Sequence, residues 1–143
     1  MMTRLKLGDQ EIAHDRELTA AAYRDISVAG PEKCGCAGCR NFIAQRESAY
    51  PQQFLSLLDQ LGIDPKKEGE VYESGPFPDG THVYGGWLYF AGRMVTAGEY
   101  LVETGPFKYF IGTRFPPPPK AFAGQAVLTV EFLTTLLWVI ESS

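Results

Sequence analysis

The chain has 143 residues, of which 45% are apolar and 21% charged, and its formal net charge is −4. This size and composition predict a single domain, residues 1–143, with an ordinary hydrophobic core. The acidic balance argues against a nucleic-acid partner, because binding to phosphate backbones depends on clustered Lys and Arg. The nearest such cluster, Lys66-Lys67, is followed at once by Glu68.

The two ends of the chain predict its location. The N-terminal segment lacks the apolar stretch of a secretory signal. Near the C-terminus the longest apolar run, residues 136–140, is far shorter than the roughly 20 residues that cross a bilayer as a helix. We therefore predict a cytoplasmic protein without a membrane partner.

The first third of the chain contains weak signals and one clear break. Residues 3–7 alternate apolar with polar side chains and predict a short strand. Residues 17–22 have weak helical character, and residues 23–28 are expected to be a second extended piece. Gly30-Pro31 then interrupts the chain.

The next segment predicts two short helices. Apolar side chains at helical spacing, interrupted by Arg46, favour a helix over residues 38–49, and Pro51 ends it. Leucines and Phe54 recur at three- and four-residue spacing up to residue 61, and Gly62 is a typical residue to follow a helix. The two helices are expected to form a pair that meets at residues 50–51.

The remaining sequence predicts strands. Candidates are residues 70–74, 81–90, 94–95 with 100–103, 107–113 and 126–133. Gly85-Gly86 indicates a bulge or a close backbone approach, and residues 116–119, all proline, indicate a stiff loop. Residues after Thr134 are expected to be an edge strand or a strap. Short turns favour antiparallel pairing, so the predicted class is α+β: a four- to six-stranded antiparallel sheet with the short helical pair packed on one face.

The feature that suggests chemistry most strongly is the segment CGCAGC, which contains Cys34, Cys36 and Cys39. No other cysteine is present, and an odd number of cysteines without a secretory signal does not resemble a disulfide framework. Three interpretations stay open: a metal site, a redox pair, or a packed apolar corner.

The metal hypothesis rests on soft thiolates spaced so that a loop can wrap one ion, with Cys39 in a first helical turn. Zinc is the expected ion and needs a fourth ligand. The chain has two histidines, His14 and His82, and a carboxylate or water can also serve. The tentative ligand set is therefore Cys34, Cys36, Cys39 and His82.

The redox hypothesis takes Cys36 and Cys39 as a C-x-x-C pair at the start of a helix, where an attacking thiolate is stabilised, with Cys34 as a resolving thiol. The opposing observation is that a thioredoxin-like fold places this motif in a βαβ unit, whereas the rest of this chain indicates antiparallel strands.

No other motif predicts catalysis or an organic cofactor. The glycines do not form a phosphate-binding pattern, and the serines do not lie in a nucleophile elbow. His82 lies among aromatic residues of a predicted strand, where a histidine and an aromatic face are more often part of the core than of a ligand pocket. The residues leave open whether the protein is an enzyme.

Four segments together resemble a small bacterial family of unknown function. They are CGCAGCRNF, LGIDPKK with EVYESG, and GTHVYGGWLYFAG, and they cover about residues 34–92. The resemblance implies a bacterial cytoplasmic protein but no activity, cofactor or partner.

The leading functional hypothesis is binding of a metal or small ligand at the cysteine segment. The first alternative is a protein-interaction module, similar to an immunity or adaptor protein, that uses the acidic surface and the aromatic sheet. The second alternative is a thiol-redox enzyme that uses Cys36 and Cys39. A protein partner and homo-oligomers are compatible with each hypothesis.

Overall fold

The computed structural model describes residues 2–113 and 117–141. Within this part the chain forms strands and helices in a mixed order. The strands are β1 (Thr3–Leu7), β2 (Gln10–His14), β3 (Glu70–Ser74), β4 (Thr81–Thr96), β5 (Leu101–Thr104), β6 (Phe107–Gly112) and β7 (Val127–Leu137). The helices are α1 (Arg16–Arg24), α2 (Gly30–Cys34), α3 (Ala37–Ala49), α4 (Gln52–Leu61) and a 3₁₀ turn at Lys120–Phe122.

The strands form one antiparallel sheet in which β4 is the longest element. The sheet runs β1-β2-β4-β7-β6-β5, and β3 also pairs with β4. Strand β7 pairs with β4 from Thr81 opposite Leu137 to Ala91 opposite Val127, so both strands are central. Residues 134–137 therefore continue an inner strand, and the predicted edge strand there is wrong.

The class α+β is confirmed, but two details of the predicted architecture are wrong. The described sheet has seven strands rather than four to six. The helices do not pack as one pair on one face: α3 contacts β3 and β7, α2 packs on α3, and α1 contacts β4 and α4. The extra strand is β2, whose apolar residues Ile12 and Ala13 are adjacent, so that it shows no alternation in the sequence.

Helix boundaries follow local capping chemistry. Asp15 caps α1 by accepting a hydrogen bond from the backbone N–H of Leu18 at 3.0 Å. Helix α1 continues to Arg24, so the extended piece expected at residues 23–28 is wrong. Helix α4 ends at Gly62, which has the left-handed φ of 84° that the sequence predicts there.

The core is an aromatic cluster between the helices and the sheet. Phe54 of α4 lies 4.8 Å from Phe107 and 5.9 Å from Phe132, measured between ring centroids. Phe42 of α3 joins the cluster through Phe132 at 6.0 Å. These rings are at most 2% exposed, so the cluster fixes α3 and α4 on the sheet.

Two smaller predictions concern glycine and proline. A Cβ on Gly85 would lie 2.4 Å from the Tyr72 ring, and one on Gly86 would lie 2.5 Å from the Glu70 carbonyl oxygen. The close backbone approach is thus present, and the pairing of β4 with β3 and β7 keeps a regular register there. Of the predicted proline loop, residue 116 lies outside the described residues.

Among the described residues, no helix combines the length and the apolar character needed to span a bilayer.

Candidate metal centre

The structure brings the three cysteines together at the junction of two helices. Cys34 is the last residue of α2, Cys36 precedes α3 as its N-cap, and Cys39 lies in the first turn of α3. Their Sγ atoms all lie within 4.8 Å of one another. Cys34 and Cys36 are exposed, whereas Cys39 is buried. The group is therefore a surface cluster anchored on one buried thiol.

A left-handed glycine makes this cluster possible. Gly35 follows α2 with φ 67°, and its N–H donates to the Pro31 carbonyl oxygen at 3.0 Å. This conformation ends α2 and turns the chain directly into α3, so that Cys34 lies beside the first turn of α3. A residue with a Cβ adopts such a φ only at a cost of about 1 kcal/mol or more.

A buried arginine fastens the two helices that carry the thiols. Arg46 of α3 donates two hydrogen bonds of 3.0 Å to the two carboxylate oxygens of Glu32 on α2. It also donates to Glu68 at 2.7 and 3.0 Å. The Glu68 side chain is fully buried and accepts a further bond of 2.5 Å from the Tyr50 hydroxyl. This network sets the position of α2 relative to α3.

Charge and burial act in opposite directions on the two carboxyl groups of this network. Hydrogen bonding to Arg46 lowers the pKa of Glu32 below its ordinary value. Burial raises the pKa of Glu68, and the Arg46 and Tyr50 hydrogen bonds offset only part of that effect. Sequence reasoning identified Arg46 only as an interruption of an apolar helix face. The position of Arg46 within an apolar helix face is the one feature of the local sequence that indicates this hydrogen-bond network.

The thiols differ in their electrostatic surroundings. The Cys39 backbone N–H donates to Cys36 Sγ at 3.4 Å, which caps α3. This hydrogen bond, followed by one with the Cys34 thiol, lowers the pKa of Cys36. Burial raises the pKa of Cys39, and the neighbouring thiols raise it further. Of these two thiols, the exposed Cys36 at the helix N-terminus therefore ionises more readily than the buried Cys39.

The structure places His82 against Glu73 and Trp138. Its Nδ1 lies 2.7 Å from Glu73 Oε2, and its ring lies 4.8 Å from the Trp138 ring. The ligand atoms gathered within 4.8 Å in the described residues are the three thiols, without an imidazole. His82 as a fourth ligand therefore stays a prediction. His14 is buried on β2, where its Nδ1 has no hydrogen-bond partner among the described residues.

The strand that carries His82 does pack against the start of α3. The Tyr84 hydroxyl donates to the Gly38 carbonyl oxygen at 2.8 Å. A Cβ on Gly38 would lie 3.2 Å from Glu73 Oε1, so the carboxylate faces the same helical turn. Burial raises the pKa of Tyr84, and the charges of Glu73, Cys39 and Cys36 contribute to the same increase. The thiols, Glu73 and Tyr84 thus share one electrostatic environment.

Asn41 ties the end of the chain to this turn of α3. Its Nδ2 donates to the Tyr84 hydroxyl at 3.2 Å and to the Leu137 carbonyl oxygen at 3.1 Å. Its Oδ1 accepts from the Val139 N–H at 2.7 Å. The segment after β7 therefore lies as a strap over α3, which agrees with the strap expected after Thr134.

No protein-family model matches the chain, and neither the curated proteins nor the solved structures contain a significant match to it.

Proposed function

We propose that the protein binds one zinc ion through Cys34, Cys36 and Cys39. The observation that carries this proposal is the separation of the three Sγ atoms, which is at most 4.8 Å. A tetrahedral zinc ion with Zn–S bonds of about 2.3 Å places its sulfur ligands about 3.8 Å apart. The thiols would have to approach one another by about 1 Å. Cys34 and Cys36 are exposed and can make this adjustment by side-chain rotation.

The Glu73–His82 pair is proposed to supply or orient the fourth ligand. Glu73 faces the first turn of α3 and bonds His82 Nδ1, which leaves Nε2 as the ring atom for a metal. A carboxylate bound to the far nitrogen of a histidine is the usual support of a zinc-binding imidazole. With water in the fourth position, Glu73 would instead accept its hydrogen bond.

The proposed role of the ion is structural. Helix α2 has only five residues, too few to be stable by itself, and Cys34 is its last residue. Zinc bound by Cys34 together with Cys36 and Cys39 would join the end of α2 to the start of α3, in addition to the Arg46–Glu32 contact. Because the ion would bind the folded chain more tightly than the unfolded chain, it would stabilise the folded state by mass action.

The decisive experiment is a metal measurement on protein purified without chelator. We expect about one equivalent of zinc, and cobalt in its place should give the absorption bands of tetrahedral thiolate coordination. Cys39→Ser should abolish both signals, whereas His82→Ala should keep the stoichiometry and weaken affinity by about 10- to 100-fold. Protein that contains no zinc and gives no cobalt–thiolate bands would refute the proposal.

A second candidate function, dithiol redox exchange, is favoured by one specific arrangement. Cys36 is exposed and capped by the Cys39 N–H, while Cys39 lies buried three residues later. In the proposed exchange the Cys36 thiolate attacks a substrate disulfide, and one substrate sulfur leaves as a thiolate. Cys39, once deprotonated, attacks Cys36 Sγ, which forms the Cys36–Cys39 disulfide and releases the second substrate thiolate.

The two candidates differ in a trapping experiment. Under redox exchange, the double variant Cys34→Ser with Cys39→Ser lacks both possible resolving thiols. It should accumulate a mixed disulfide at Cys36 when metal-free protein is incubated with oxidised glutathione, and mass spectrometry would detect it. If the thiols of the native protein react only after zinc is removed, and the double variant forms no more adduct than the urea-unfolded chain, redox exchange is excluded.

A further inference from the structure

A groove on the other side of α2 has the size of a small-molecule site. It lies between the end of α1, helix α2 and the 3₁₀ turn, and its volume is about 470 Å³. Ligand sites in proteins usually enclose about 300–1,000 Å³. None of the cysteines lines the groove, so it is separate from the thiol cluster.

The floor of the groove is formed by buried aromatic residues. Tyr23, Tyr89 and Phe122 are at most 5% exposed. The Tyr23 ring lies edge-on to Phe122 with centroids 5.8 Å apart, and the Tyr23 hydroxyl donates to the Tyr89 carbonyl oxygen at 2.6 Å. Such a floor favours a flat apolar group, since aromatic rings prefer stacked or edge-to-face neighbours.

Two glycines bring backbone segments together along the wall. A Cβ on Gly30 would lie 2.7 Å from the Gly69 carbonyl oxygen. A Cβ on Gly69 would lie 2.6 Å from the Tyr89 ring. Any larger residue at either position would force the wall apart, so this shape of the groove depends on both glycines.

The rim of the groove is cationic, although the chain as a whole carries a net charge of −4. Lys33, Lys67 and Lys120 line it from three different segments. Lys67 is held in place because its Nζ donates to the Tyr23 carbonyl oxygen at 2.7 Å. The opposing carboxylates are Asp25 and Glu68, and Glu68 is already paired with Arg46 at 2.7 Å.

We propose that this groove binds a small aromatic anion. The ring would lie on the floor formed by Tyr23, Tyr89 and Phe122. A carboxylate or phosphate group would lie at the rim, where Lys67 is already positioned and the exposed Lys33 and Lys120 can close on the charge. The three ammonium groups select negative charge, and the aromatic floor selects a ring over a free inorganic anion.

The test is a titration of the full chain with phenyl phosphate, followed by amide NMR. Phenyl phosphate should shift the Gly30 and Gly69 amides in a saturable manner. Inorganic phosphate, which lacks the ring, and phenol, which lacks the charge, should each bind at least about tenfold more weakly. Benzoate, titrated in parallel, shows whether a carboxylate replaces the phosphate.

A matched pair of double variants isolates the lysine rim. Lys33→Glu with Lys120→Glu should weaken phenyl phosphate binding by at least about tenfold. Lys6→Glu with Lys108→Glu changes the net charge equally at exposed positions on β1 and β6, and should leave binding unchanged. Equal weakening in both double variants, or no saturable shift of Gly30 and Gly69 with phenyl phosphate or benzoate, would overturn the proposal.

Discussion

Arg46 and Glu32 join helices α3 and α2 through two parallel hydrogen bonds of 3.0 Å. The same guanidinium also neutralises the fully buried Glu68. One side chain thus holds the two thiol-bearing helices together and compensates a charge in the core. Its removal has consequences of different size for the two carboxylates.

Arg46→Ala should lower the free energy of unfolding by about 3–5 kcal/mol, because it leaves the Glu68 carboxylate buried without a cation. Urea unfolding of metal-free protein measures the loss. The control is Arg4→Ala, which removes an exposed pair with Glu11 at 3.7 Å and should cost about 0.5 kcal/mol or less. Similar losses in both variants would show that Arg46 does not compensate a buried charge.

Gly35→Ala should weaken zinc affinity about fivefold, since a Cβ at φ 67° costs about 1 kcal/mol in the turn that places Cys34. Gly105→Ala is the matched control, because Gly105 has φ 58° and open space around its Cβ position, in a hairpin away from the thiols. Without metal, unfolding should show a smaller loss of stability for Gly35→Ala than for Gly105→Ala, because the turn after α2 can relax while zinc is absent and the cost then falls on zinc binding. Only Gly35→Ala should change zinc affinity, measured by competition with a chelator.

Cys36 should be the more reactive thiol of the Cys36–Cys39 pair in metal-free protein. Because the pKa of Cys36 is lowered, its alkylation by iodoacetamide should reach half its maximum rate below the ordinary thiol value of about 8.5. Burial and a raised pKa should keep Cys39 unmodified until the chain unfolds. Peptide mass spectrometry over a pH series measures both rates. Urea-unfolded protein is the control, and there the two profiles should coincide.

His14 should make the fold sensitive to mild acid. Burial lowers the pKa of its imidazole, so the unfolded chain takes up a proton at higher pH than the folded chain does. Stability should therefore be intact above about pH 6.5 and fall by up to about 1.4 kcal/mol per pH unit as the pH drops toward the folded pKa. His14→Leu should flatten this dependence, measured by urea unfolding between pH 7.5 and 5.5 on metal-free protein. Equal slopes in the two proteins would contradict the assignment.

The elements that could be predicted from the sequence are those with a strong local signal. The hydrophobic periodicity of α4 and the glycine that follows it are sufficient to predict this helix, because both signals lie in neighbouring residues of the sequence. Helix α2 was expected to be a break, since Gly30-Pro31 usually interrupts structure. Proline is nevertheless compatible with the first turn of a helix, where its missing N–H has no intrahelical partner.

The candidate site was predictable only where it depends on neighbouring residues of the sequence. The three thiols lie within six consecutive positions, so their proximity follows from one local turn at Gly35. The surroundings depend on contacts between distant segments. Glu68 is 22 positions from Arg46, and Glu73 meets the α3 turn only because β3 pairs with β4. The sequence alone does not indicate which of these distant charged residues will contact one another.

Three consecutive side chains of helix α2 point in three different directions. Successive residues of an α-helix point about 100° apart. Glu32 therefore reaches Arg46, Lys33 lines the groove, and Cys34 joins the thiols. The three contacts are made by adjacent residues of one short helix, so a shift at any of them displaces the other two. Zinc affinity and anion affinity should then depend on each other by the same factor in both directions, which a zinc titration with and without phenyl phosphate would measure.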